Sequence, residues 1–113
     1  MKKITLMIAA MMILFSAGVL AEEHADAALD HTKMAIVHGK AGHAPVLIEH
    51  ANTALIHAQQ AEQAASGEAK THMQAAVKSL KSSIEHAKMG PGHVEMATQA
   101  AEEAAEHIKA GNP

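Results

Sequence analysis

The chain has no cysteine, no tryptophan and no tyrosine, and its one phenylalanine, Phe15, sits near the start. Without cysteine there can be neither disulfides nor thiolate metal ligands. All nine basic residues are lysine, and they are outnumbered by twelve acids. That balance argues against a nucleic-acid partner, which wants a basic face. With no arginine for propionates and no Phe, Trp or Tyr beyond Phe15 to line a pocket, a non-covalent haem is a poor fit. A core must then come from Ala, Leu, Ile, Val and Met. Such a core is thin for the length, so stability should gain from a bound ligand.

Residues 1–21, MKKITLMIAAMMILFSAGVLA, read as a secretory signal peptide. Lys2 and Lys3 form the positive n-region, Ile4 to Leu20 the apolar run, and Val19 and Ala21 the small-residue cleavage positions. An uncleaved anchor is the rival, since the run approaches the length that spans a bilayer. Cleavage is preferred because polar, acidic sequence begins at Glu22. The expected domain is therefore residues 22–113, located in the periplasm and free of the membrane. Phe15 leaves with the leader, and twelve acids against seven lysines give the mature chain a formal charge of −5.

Breakers divide the mature chain into four segments, roughly 23–38, 43–64, 71–88 and 93–110. Gly39 and Gly42 bracket the first turn, with Pro45 placed as proline commonly is in a first helical turn. Ser66 and Gly67 lie in a 65–70 link, and MGPG ends the third segment. Thr71 with Gln74 forms a capping-box pattern that predicts the start of the third helix. Alanine is abundant throughout and favours helix. The fold expected is all-α: an antiparallel four-helix bundle made of two similar helical hairpins.

What the chain has in excess is histidine, ten in 113 residues. His24, His31 and His38 are seven apart, as are His43, His50 and His57. The third segment carries His72, Ser79 and His86 at the same spacing, and the fourth His93, Ala100 and His107. One template, H-x6-H-x6-H, therefore recurs four times. With His at heptad position a, the apolar residues fall on b, e and f, so every stripe of His borders an apolar seam on the same edge.

Two His seven apart on one helix lie about 10.5 Å apart along its axis, too far to share an ion. A site needs a second helix. Reversing the chain at GKAG sets His38 against His43, His31 against His50 and His24 against His57. In the second half the partners are His86 with His93 and His72 with His107. The layer left over, 79 with 100, lost both its histidines. Each pair offers two neutral imidazoles, which suit Cu(II), Ni(II) and Zn(II), with Cu(II) favoured by the usual affinity order. Met34, Met89 and Met96 each follow a His by three, and Glu103 precedes His107 by four, so each can reach toward the His edge. Sites of two His plus solvent suit buffering or scavenging rather than catalysis.

Plainer readings stand beside these. The methionines serve equally as core filler, and Glu49, Glu85 and Glu106 as a solvated face. A bundle whose His stripes sense acid, as an interaction or stress protein, is the alternative from another class. Enzyme readings are weak: no nucleophile triad, no HExxH, no Glu-x-x-His pair and no CxxCH occur.

The run from His24 to His43, His-x6-His-x6-His-Gly-Lys-x-Gly-His, together with GHVEMATQAAEEAAEHIKA, resembles the small metal-binding protein family of the bacterial periplasm. The resemblance implies a small four-helix bundle that binds several copper ions, and nickel and zinc as well, in metal scavenging or tolerance; for this chain a monomer is expected. It carries ligand roles onto His24, His31, His38, His43, His50, His57, His72, His86, His93 and His107. Two departures matter. Ser79 and Ala100 replace histidines of the pattern, and the turn between His86 and His93 is two residues longer than GKAG.

Overall fold

The computed structural model describes the backbone of residues 2–112 and the side chains of residues 17–112. The chain is all-α. Its helices are α1 (Lys2–Lys40), α2 (Ala44–Ala64), α3 (Gly67–Lys88) and α4 (Val94–Gly111), with a single 3-10 turn at Pro91–His93 before the last. They pack side by side in the ring order α1, α2, α3, α4, so that α4 closes against α1 as a helical bundle. Among the described residues no helix is long and apolar enough to cross a membrane. The apolar run of the leader lies mostly outside the described side chains.

Position b and position e of the heptad supply the core in all four helices. On α1 these are Ala25, Ala28, Thr32 and Ala35; on α2, Leu47, Ala51, Ala54, Ala58 and Ala61. The repeat steps alternately by three and four, which keeps one seam facing inward along a helix. Most of the seam is alanine, whose small side chain lets helices approach closely. Larger volume comes from Leu47, Met73, Leu80 and Ile108, all fully buried. Position f behaves differently in the two halves. Val77, Ile84, Thr98 and Ala105 are buried, whereas Leu29, Ile36, Ile48 and Leu55 stay half-exposed.

Polar groups inside the seam are satisfied, as burial requires. Thr32 and Thr98 hydroxyls donate to the carbonyls four residues back, Ala28 at 2.7 Å and Val94 at 2.8 Å. The buried Ser83 hydroxyl donates instead across helices to the Ala97 carbonyl, 2.7 Å away, and so pins α3 to α4.

The first turn explains the five-residue step between His38 and His43. The His43 N–H donates to the His38 carbonyl (2.9 Å), and the Gly42 N–H to the Gly39 carbonyl (3.0 Å). These two bonds make a Schellman motif, with Gly42 at φ +80° as its left-handed residue. The cap thus ties the backbones of two paired histidines together. Gly42→Ala should cost about 1–2 kcal/mol, the left-handed penalty for a residue with a Cβ. Urea unfolding of the metal-free protein measures it, and an unchanged midpoint would contradict this account of the turn.

Three sequence expectations need correction. The first helix does not begin near residue 23 but runs back to Lys2, because nothing between the leader and Glu22 breaks it. The 65–70 link shrinks to Ala65 and Ser66, both extended, after which Gly67 at φ +59° completes the reversal. Helix therefore starts at Gly67, with Glu68 in its first turn, where a carboxylate favours the helix dipole. The Thr71–Gln74 capping box accordingly lies inside α3, and the Thr71 hydroxyl faces the Gly67 carbonyl at 3.4 Å.

Candidate metal centre

Position a lies next to the buried b and e seam, so the His stripes sit where core meets solvent. Nine of the ten histidines are half-buried, and His43, at the first turn, is exposed. For those nine, this placement packs one side of the ring against the seam and leaves part of it exposed.

All five expected pairs come together. His24 meets His57 with ring centroids 5.3 Å apart, His31 meets His50 at 5.6 Å, and His38 meets His43 at 5.9 Å. In the other half, His72 meets His107 at 6.3 Å and His86 meets His93 at 6.0 Å. The longer turn before α4 does not prevent the last pair: its extra residues are taken up by the 3-10 turn, and the rings lie 14° from parallel. Between these two pairs Ala100 is buried and Ser79 half-buried, so the middle layer holds no imidazole.

The nitrogen geometry is informative. Nδ1 of His24 lies 3.1 Å from Nδ1 of His57, and Nδ1 of His31 lies 3.3 Å from Nδ1 of His50. In the neutral, metal-free pair one nitrogen donates its proton and the other accepts. Two imidazole nitrogens about 2.0–2.1 Å from a common ion, subtending about 90–109°, would themselves be roughly 2.9–3.3 Å apart. The observed spacings fall in that interval, so a cation can replace the shared proton once both rings turn to aim their lone pairs at it. Among the described residues no three His, Asp or Glu converge on one point. Each layer thus offers a bound ion two imidazole donors, with its remaining positions open to water or a neighbouring side chain.

One feature was not foreseen from spacing alone. The first-half histidines are not three separate pairs, because His31 also stacks on His57 (6.1 Å, 5° between planes) and His38 on His50 (5.6 Å, 9°). The six rings form one zigzag column in the order 24, 57, 31, 50, 38, 43. Counting positions toward each other across a turn pairs residues but ignores the stagger between neighbouring helices, which sets each of the four inner rings between two others.

Stacking has an electrostatic consequence. His57 is held below the usual histidine value of 6.5, first by burial and then by repulsion from His24 and His31. The folded chain thus takes up this proton less readily than the unfolded chain, which opposes folding in acid. The His57 contribution should leave metal-free stability level above 6.5, lower it as pH falls below that value, and flatten once His57 is protonated in the fold. Thermal melts in metal-free buffers across that window, with His57→Gln as the comparison, test it. A His57→Gln protein with an unaltered pH slope would contradict the assignment.

A helical bundle that presents ring nitrogens in facing pairs, at the separation of ligands on one ion, has the construction of a metal-ion-binding protein. The sequence model for the small metal-binding protein family matches residues 1–111, and the chain belongs to that family. No curated protein matches it.

Proposed function

We propose that the protein is an exported, non-catalytic buffer for copper, with nickel and zinc as secondary loads. Residues 1–21 serve as the cleaved leader, and the monomeric domain of residues 22–113 works in the periplasm. The observation that carries this reading is the 3.1 Å and 3.3 Å spacing of facing Nδ1 atoms in two successive layers. The order of the pairs supports reading α1–α2 and α3–α4 as two antiparallel hairpins, since partners move up one helix as they move down the other. Imidazole without thiolate suits an oxidising compartment and favours Cu(II) among divalent ions. Sites with two protein donors and open positions load and unload readily, which a buffer requires and a resident catalytic ion does not.

Isothermal titration of the leader-free protein with Cu(II) at neutral pH tests the proposal. The expected result is more than one ion per chain, with binding lost on acidification as protons compete for imidazole. Absence of binding above that of a histidine-poor helical protein would remove the reading and leave the acid-sensing bundle. Export is tested separately: the amino terminus of the periplasmic protein should be Glu22.

A further inference from the structure

After removal of residues 1–21 the chain keeps four methionines: Met34, Met73, Met89 and Met96. Met73 is fully buried in the core, and the other three are exposed, at 45%, 62% and 49% respectively. All three exposed methionines occupy heptad position d, three residues after a histidine. Position d follows a around the helix on the side away from the seam, so a residue there borders the outer mouth of a His pair. A single exposed apolar side chain needs no explanation. Their distribution over the layers does.

The residues three after the paired histidines are Ala27 and Gln60 for His24–His57, and Met34 and Thr53 for His31–His50. They are Ala41 and Val46 for His38–His43, and Ala75 and Ala110 for His72–His107. Only His86–His93 has methionine on both sides, Met89 at the C-cap of α3 and Met96 in the first turn of α4. That pair differs in a second way. Nδ1 of His86 and Nδ1 of His93 are each buried without a hydrogen-bond partner. A buried, unpaired ring nitrogen costs free energy unless something fills its lone pair or takes its proton. Here two such atoms flank a pair bordered by two flexible thioethers.

We propose that His86, His93, Met89 and Met96 form a mixed imidazole–thioether site for a soft monovalent cation, Cu(I). The site rests on the reading of paired histidines as metal donors, and it makes the two halves of the molecule chemically distinct. Thioether sulfur favours Cu(I) over harder divalent ions, and the six-ring column has only one thioether beside it, Met34, against six imidazoles. Methionine has three rotatable side-chain bonds, so an exposed side chain can swing onto a bound ion without disturbing the core. Met34 stands alone beside its pair, and its layer lacks the second thioether.

The test uses Ag(I) as a redox-inert probe, followed by Cu(I) in competition with a chromophoric chelator under anaerobic, reducing conditions. In the exported protein labelled with 13C-methyl methionine, the Met89 and Met96 methyl signals should shift together and saturate with one equivalent of Ag(I). The buried Met73 signal should stay in place. Met89→Leu/Met96→Leu, a conservative change at exposed positions, should weaken Cu(I) binding at this site by at least about tenfold. The same variant should take up Cu(II) as the unaltered protein does. Unmoved Met89 and Met96 signals with Cu(II) uptake intact would overturn this site alone. Failure of Cu(II) and Ag(I) alike to bind would overturn the metal reading beneath it.

Discussion

His31→Ala and His50→Ala will lower the copper-dependent gain in thermal stability by the same amount, and the double variant will lose no more than either. The equality follows from the 3.3 Å Nδ1 separation, which makes the two rings halves of one site. An ion that binds only the folded chain stabilises it by mass action, about 2.7 kcal/mol per site at a free concentration about a hundredfold above Kd. For a domain of this size that corresponds to roughly 10–20 °C in melting temperature per loaded layer. Removing either ring takes away the pair, so the second substitution finds nothing left to remove. Residues that act as one unit are non-additive in this way. The measurement is far-UV circular dichroism melting with and without Cu(II), since the chain lacks Trp and Tyr. Additive losses would mean that His31 and His50 hold separate ions. Stacking of His31 on His57 adds a secondary effect: His57→Ala should weaken the 31–50 layer slightly while abolishing the 24–57 layer.

The same spacing that makes these pairs also made them legible. A seven-residue period places both the alanine seam and the His stripe, and the turn lengths then decide which histidines meet. Ala28, Ala54, Leu80 and Ile108 could be assigned to the interior from the heptad alone, and all four are fully buried. What spacing could not give was anything set by the rotation and stagger of one helix against another. The burial of Val77 and Ile84 at position f, while Leu29 and Ile36 remain half-exposed, depends on how far each helix is rolled toward its neighbour. The cross-stacking of His31 on His57 depends on stagger. Thr71 and Gln74 misled for a local reason. A capping box matters only where the chain enters helix, and Gly67 had already made that reversal four residues earlier. Ser83 gave no signal at all, because its bond to the Ala97 carbonyl joins residues that only the assembled fold brings together.

Leu80→Ala will cost the metal-free protein about 2–5 kcal/mol. Leu80 is fully buried in α3, in a cluster otherwise built largely from alanines such as Ala25, Ala54, Ala58 and Ala104, together with Met73 and Ile108. Truncating it removes one of the few large side chains present, and neighbouring methyl groups are too short to fill the gap. Small domains hold only a narrow margin of stability, and an alanine-rich core narrows it further. The expected consequence is a chain that is substantially unfolded when stripped of metal by a chelator. Copper should refold it, because each loaded layer returns about 2.7 kcal/mol under the same hundredfold excess. Leu80→Met, which nearly conserves volume, should cost less than about 1.5 kcal/mol and keep the metal-free fold. Urea titrations of the three proteins, each with chelator and with copper, separate packing from ligation. A metal-free Leu80→Ala protein within about 1 kcal/mol of the original would mean the core has room to collapse around the gap, contrary to the cavity argument. A variant that unfolds without metal but refolds with it would show that the His layers supply the stability a thin alanine seam lacks.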